Sequence, residues 1–162
     1  MRLSIPEGLK LVAARAGANR SLAVLVTTRP DRVDPQVALV NAAPFTHPVT
    51  GDPTVAFVGR PGAKLESLRL NPRATLVFQD GWEWVAVKGE VELSGPDDAN
   101  PNFVGETQRQ LLRDIFHAAG GSHDDLDSYD DAMLEDRRCA VLVTPDHIWT
   151  NPPASVHKED PS

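Results

Sequence analysis

Seven short segments with strand character, most of them joined by tight turns, constrain the fold of this chain more than any other feature. They are rich in Val, Leu and Thr, and Gly, Pro, Asn or Asp residues separate them. The predicted strands are Ser21–Thr28, Gln36–Ala43, Thr54–Val58, Ala74–Gln79, Trp82–Leu93, Cys139–Val143 and His147–Thr150. Tight turns join antiparallel neighbours, whereas parallel neighbours need long crossovers, so we expect a mostly antiparallel sheet.

Apolar residues at helical spacing predict four helices around these strands. They cover Glu7–Ala16, Lys64–Leu70, Phe103–Ala119 and a short segment through Leu126, Tyr129 and Met133. Gly17 is expected to end the first helix, and the Asn71-Pro72 pair the second. Strands and helices do not alternate regularly, which argues against a doubly wound parallel sheet. The prediction is an α+β fold, a small antiparallel β-barrel of about six or seven strands with flanking helices.

The length of 162 residues suits one domain, predicted to cover residues 1–162 with a fraying, proline-bearing tail over 151–162. Three prolines predict an irregular loop over Pro44–Pro53. The only cysteine, Cys139, rules out intrachain disulfides, and its place at the start of an apolar strand favours a core position over a nucleophile. No apolar run approaches the ~18 residues of a membrane span, and the first residues lack a signal-peptide pattern. A cytoplasmic protein without a membrane partner is therefore expected.

The net charge of −7 is concentrated in one window. Residues Gly120–Asp136 contain seven acids and no Lys or Arg, so the rest of the chain is balanced. We expect this window to be a solvated helix and loop, and nucleic acid is disfavoured as a partner. A metal site is also disfavoured, because the aspartates do not match a calcium loop and His117 and His123 lack helical i, i+4 spacing.

A basic segment follows the third predicted strand. Gly59 to Lys64 is a Gly/Pro turn that leads into a helix, and four bases (Arg60, Lys64, Arg69 and Arg73) accompany one acid, Glu66. Free amide groups at a helix N-terminus together with cations suit a phosphate. The spacing matches neither a P-loop nor a dinucleotide fingerprint. The two readings are an anion site and a solvated turn with bases there by chance.

Two further positions are candidates for ligand contact. On the long fifth strand Val85, Val87, Val91 and Leu93 alternate toward the core, which leaves Trp82 and Trp84 on the other face. A subunit interface, a planar ligand or a helix of the same chain would cover these indoles. Asn41 ends the second strand, where its amide either contacts a ligand ring or caps the loop. His47 in the proline-rich loop is a weaker candidate, since a loop histidine is usually solvated.

The order of these motifs resembles a known family. Lys64–Leu76 resembles the family's helix-to-strand signature, a Lys, then Leu-Arg, then Asn/Asp-Pro-Arg, and Trp84–Val91 resembles its following strand with Val-x-Gly-x-Val. The family is the pyridoxamine 5'-phosphate oxidase-like split β-barrel superfamily. The later segments Gln108–Arg113, Ala118–Gly121 and Arg137-Arg138 resemble its actinobacterial branch of deazaflavin-dependent oxidoreductases.

The resemblance covers roughly Leu22 to Asn151 and implies a homodimer with a flavin or coenzyme F420 in a groove at the dimer interface. Basic residues that match Arg60 and Lys64 would hold the cofactor's phosphate. Trp84 would lie near the cofactor, often that of the partner chain, and Asn41 near the ring. The residues before Lys64 depart from the Ser/Thr and basic cluster of many relatives, and the loop over Pro44–Pro53 is longer than usual, so F420 and FMN both stay open.

The resemblance implies no catalytic side chain, because the cofactor carries the hydride and the protein orients it. The leading hypothesis is an F420-dependent oxidoreductase that reduces a small organic acceptor of quinone, enone or tetrapyrrole type. An FMN-dependent oxidoreductase of the same fold is the alternative. A non-catalytic barrel that binds a flavin or haem is the third reading.

Overall fold

Six antiparallel strands close into a barrel, which confirms the predicted fold class. The computed structural model describes residues 1–152, so most of the predicted tail lies outside the described residues. The strands are β1 (Arg2–Leu3), β2 (Leu22–Thr27), β3 (Gln36–Thr46), β4 (Pro53–Gly59), β5 (Arg73–Asp80), β6 (Glu83–Ser94) and β7 (Cys139–Trp149). The order around the barrel is β7-β4-β3-β2-β5-β6, and the pairing of β6 with β7 closes it. The short β1 was not predicted, and it pairs with the second half of β7.

Four helices flank the barrel: α1 (Ile5–Ala18), α2 (Ala63–Leu70), α3 (Glu106–Ala118) and α4 (Leu126–Glu135). α1 begins earlier than predicted because the Ser4 hydroxyl caps it by accepting from the Glu7 amide. Gly17 does not end this helix, which continues to Ala18. None of the helices in residues 1–152 is both long and apolar enough to cross a membrane.

The core has two parts, and the larger fills the barrel. Val12 and Ala16 of α1 pack there with inward side chains of the strands, including Phe57 and Phe78. The smaller part lies outside the barrel, where Leu112 and its neighbours on α3 pack on β4 and β7. α2 sits at the end of β4 and buries Leu65 and Leu68. This packing fixes the start of α2 beside the last residues of β4.

Two predicted boundaries were wrong. The two last predicted strands form one strand, β7. Lys88 pairs with His147, but the next residue, Gly89, pairs with Pro145, so Asp146 has no partner on β6. This irregularity in the pairing lets the strand continue through Pro145 and Asp146. Pro44 lies in β3 and not in a loop, since β3 runs on to pair with β4 after its pairing with β2 has ended. A proline is tolerated where one edge of a strand has no ladder partner.

The predicted alternation of β6 is confirmed on its inner face and only partly on its outer face. Val85 and Val87 are fully buried in the barrel core. Trp82 precedes the strand and is 95% exposed in the single chain, whereas Trp84 is half-buried. Ala86, predicted on the uncovered face, is buried between Val77 and Trp149 of the flanking strands.

Candidate functional site

Three cations meet where β4, α2 and β7 come together. The last pair of the β4–β7 ladder is Gly59 with Cys139, so the next residues, Arg60 and Arg138, leave the ladder beside each other. Lys64 lies in the first turn of α2. We call Arg60, Lys64 and Arg138 the cation cluster.

The cluster carries charge that the chain itself does not neutralise. In residues 1–152 neither Arg60 nor Lys64 has a carboxylate within 4.0 Å. Lys64 is half-buried, and burial, followed by the charges of Arg138 and Arg60, holds the pKa of its ammonium below the ordinary value. Loss of water and like-charge repulsion both favour an anion at this place.

The other two bases of the predicted basic segment do not belong to the cluster. Arg69 forms a two-pronged ion pair with Asp98, with nitrogen–oxygen distances of 2.8 and 2.7 Å. Arg73 donates to Asp146 at 2.7 Å. Their acidic partners lie far along the chain, so the segment is less positive in the structure than its sequence indicates.

A cavity of about 500 Å³ opens at the start of α2. Lys64 and the turn before it form one wall, and β2 and β3 form the other with Thr27, Gln36 and Val37. The helix cap is Gly62, with φ 146°, and no side chain in the described part of the chain accepts a hydrogen bond from the first amides of α2. The cavity therefore combines a lysine with a helix N-terminus that has no side-chain cap.

Sequence reasoning did not place Arg138 beside Arg60 and Lys64. Its guanidinium is mostly buried, and the nearest carboxylate oxygen, of Asp136, lies 3.5 Å from Nε. This Nε makes no hydrogen bond within the described part of the chain. Burial and the charge of Arg60 lower the pKa of Arg138. Its proximity to Arg60 depends on the β4–β7 register, which no local motif encodes.

Asn41 and Trp84 lie apart from the cluster within one protomer. The Asn41 amide donates to the Arg20 carbonyl oxygen at 3.0 Å, which is a loop-capping role, and the residue borders a separate cavity beside α1 and the end of α3. Trp84 borders neither of these cavities, and its carbonyl oxygen accepts a hydrogen bond from the Thr150 hydroxyl. A contact of either side chain with a cofactor stays a prediction.

The two other candidate reactive side chains, those of Cys139 and His47, are both buried. Cys139 is buried as predicted, and burial, followed by the charge of Asp98, raises the pKa of its thiol to about 12. His47 was expected to be solvated but is buried, with Nε2 lying 3.0 Å from a Glu92 oxygen. Its Nδ1 accepts from the amides of Val49 and Thr50, so Nε2 carries the proton and donates to Glu92. The proline-rich sequence around His47 does not indicate that its side chain is buried.

Acidic residues of the window Gly120–Asp136 are mostly exposed, as predicted. Asp130 is the exception, since it is largely buried in an ion pair with Arg113. Asp125 caps α4 by accepting from the amides of Asp127 and Ser128. Residues 1–152 contain no group of three or more His, Cys, Asp or Glu side chains arranged to hold a metal ion.

The fold is similar to that of several solved structures, although the chain matches no protein-family model. A conserved hypothetical protein of Mycobacterium tuberculosis is 19% identical with a TM-score of 0.58, over 91% of this chain and 84% of that one. A pyridoxamine 5'-phosphate oxidase-related, FMN-binding protein of Nostoc punctiforme is 17% identical with a TM-score of 0.53, over 91% and 84%. An FAD-binding protein of Mesorhizobium loti is 18% identical with a TM-score of 0.53, over 94% and 97%. The chain thus has the barrel fold of pyridoxamine 5'-phosphate oxidase-like proteins.

Proposed function

We propose that this chain is an oxidoreductase domain that holds the phosphate of a flavin-type cofactor at Arg60 and Lys64. The observation that carries the proposal is a pair of cations that have no carboxylate partner within residues 1–152. They lie beside the uncapped start of α2, in a barrel similar to proteins named for FMN and FAD binding. The resemblance of Lys64–Leu76 to the family signature supports it independently of the fold comparison.

The residues present fit a phosphate ester. A dianionic phosphate accepts several hydrogen bonds, and Lys64 and the first amides of α2 supply donors toward the same cavity. Charge-assisted hydrogen bonds of this kind contribute about 1.5–3 kcal/mol each. An anion would also relieve the repulsion within the cation cluster.

A bound flavin or deazaflavin supplies hydride transfer, so the chain's own task is to bind and orient. Lys64 would anchor one end of the cofactor from the cavity wall, and Arg60 would add positive charge beside it. The walls from β2 and β3 limit where the body of the cofactor can lie. Cys139 is protonated and buried, and both ring nitrogens of His47 are engaged, so neither is free to act on a substrate. The substrate class we propose is a small organic hydride acceptor.

FMN and F420 are the two cofactor candidates. The solved structures named for FMN and FAD favour FMN. The resemblance of the later segments to deazaflavin-dependent oxidoreductases favours F420. Both cofactors carry a phosphate, so the role of Lys64 is the same for either.

We further propose that the working unit is a homodimer. Val37 and Leu39 on β3 are 66% and 65% exposed in the single chain, and Val37 also lines the cavity beside Lys64. A second copy on this face would bury both side chains and close the open side of the cavity.

Parallel titrations with FMN, F420 and haem test the proposal, with the wild type and the variants Lys64→Met and Lys10→Met. Lys10 is an exposed lysine on α1 and serves as the matched control. We expect one flavin-type cofactor to bind to the wild type and to the control, and more weakly by tenfold or more to Lys64→Met. Turnover of a quinone or enone acceptor with the reduced cofactor then tests the enzymatic part. Preferential binding of haem, or equal binding of a flavin by all three proteins, would contradict the proposal.

A further inference from the structure

A second, mostly apolar cavity shares no lining residue with the proposed cofactor cavity. It has a volume of about 710 Å³ and is formed by α3, α4 and the loop that follows β6. We call it the α3–α4 cavity. Pockets for small organic ligands have volumes of about 300–1,000 Å³, so its size is that of a ligand site.

Apolar side chains form most of its wall. Phe103 and Leu112 are buried at its base, and Met133 is half-buried. Val104 and Leu134 are 66% and 69% exposed beside them. An aromatic or aliphatic body placed here would contact all five side chains and remove the two exposed ones from water.

Three of the charged side chains in the wall are neutralised or screened. Arg109 pairs with Glu106 at 2.8 Å, and Asp130 pairs with Arg113. Asp131 is exposed, so water screens its charge.

Arg138 differs from these side chains. It is mostly buried and its Nε makes no hydrogen bond within residues 1–152, although the Asp136 carboxylate forms an ion pair with this Nε at 3.5 Å. Arg60 lies beside it and adds positive charge. Arg138, which lines the charged end of the cavity, is therefore only partly neutralised by the described chain.

We propose that the α3–α4 cavity binds a small molecule that has an apolar, ring-sized body and one anionic group, held by Arg138. The body lies on Phe103, Leu112 and Met133, and the anionic group accepts hydrogen bonds from the guanidinium. This cavity shares no lining residue with the cavity beside Lys64, although Arg138 lies close to Arg60 of the cation cluster.

Two fluorescent probes with the same aromatic rings test the proposal. Anilinonaphthalene sulfonate carries a sulfonate, and N-phenylnaphthylamine carries no charge. Each is titrated into the wild type, Arg138→Met, Arg138→Lys and Arg137→Met. Arg137 is the matched control, because it adjoins Arg138 in the chain but pairs with Asp97 and is not part of the cavity wall.

We expect Arg138→Met to bind the sulfonate probe at least tenfold more weakly while its affinity for the neutral probe stays within twofold of the wild type. Arg138→Lys should recover part of the loss, and Arg137→Met should match the wild type. Thermal unfolding of each variant checks that it is folded. If Arg138→Met weakens both probes equally, or neither, the proposed recognition of the anion is wrong.

A filling variant, Val104→Trp, tests the location. Val104 is exposed, so the larger side chain can be accommodated without disturbing the core. We expect both probes to lose affinity at least tenfold, with the association state in sedimentation unchanged. Unchanged probe binding would place the probes elsewhere, and a change of association state would mean that a second copy occupies the cavity; either result overturns the proposal.

Discussion

Gly89 allows β6 and β7 to pair and close the barrel. The substitution Gly89→Ala should disrupt this pairing. A Cβ at this position would lie 1.9 Å from the carbonyl oxygen of Thr144, 2.6 Å from its carbon and 3.0 Å from the Cα of Pro145. All three are backbone atoms, so no side-chain rotation relieves the contact. The glycine of the Val-x-Gly-x-Val motif is therefore explained by the close approach of β7 at the shifted register.

The cost follows from the displacement required. Carbon–oxygen contacts between strands are about 3.3–3.6 Å, so β7 must retreat by about 1.4 Å near Thr144. A shift of this size breaks the hydrogen bonds on both sides of the irregularity, each contributing about 0.5–1.5 kcal/mol. Overpacking adds about 1–3 kcal/mol. The expected loss of unfolding free energy is about 2–6 kcal/mol, a large share of the roughly 5–15 kcal/mol typical of a domain.

Urea unfolding followed by tryptophan fluorescence measures this loss. Gly17→Ala is the matched control, because Gly17 lies inside α1 and a Cβ there meets nothing within 4 Å. The control should gain up to about 1 kcal/mol, since alanine is the better helix former. A loss below about 1 kcal/mol for Gly89→Ala would refute the argument that backbone contact fixes this glycine.

Three further predictions follow from the site. With its pKa raised to about 12, the Cys139 thiol should resist iodoacetamide at pH 8 in the folded protein and react once urea unfolds it; rapid alkylation of the native protein would contradict its burial. Burial lowers the pKa of Lys64 below 10.5, so its charge opposes folding at neutral pH, and this opposition fades as pH rises toward 10.5. Lys64→Met should therefore have a larger free energy of unfolding than the wild type at pH 7, and the difference should be smaller at pH 10. A difference that grows with pH would contradict the lowered pKa of Lys64. His47→Phe should lose about 1–3 kcal/mol of unfolding free energy, because two backbone amides and Glu92 lose their hydrogen-bond partner. An unchanged urea midpoint would show that these hydrogen bonds do not stabilise the fold.

Most of the architecture was predictable because its signals are local. Alternating apolar residues and tight turns indicate the antiparallel strands, and helical spacing indicates α3 and α2. The errors occurred where a tertiary contact overrides a local signal. Pro145 interrupts an apolar run and predicts two strands, but the irregularity opposite Gly89 joins them into one. The exception is the predicted end of α1 at Gly17, an error of one residue that no close contact among residues 1–152 explains.

The candidate site was predictable only in part. Lys64 and the start of α2 are neighbours in sequence, so the anion-site reading needed no knowledge of the fold. The neutralisation of Arg69 by Asp98 and of Arg73 by Asp146 needs contacts between distant segments. The approach of Arg138 to Arg60 has the same origin, since strand register and not spacing brings them together.

A binding cycle between Lys64 and the cofactor's phosphate tests the central claim most directly. Wild type and Lys64→Met are each titrated with FMN and with riboflavin, which has the same ring but no phosphate, and with F420 and its phosphate-free chromophore. We predict that the phosphate improves binding to the wild type about 10- to 100-fold more than to Lys64→Met, the equivalent of about 1.5–3 kcal/mol for a charge-assisted bond. An equal effect of the phosphate in both proteins, for both cofactors, would contradict the assignment of Lys64 to the phosphate.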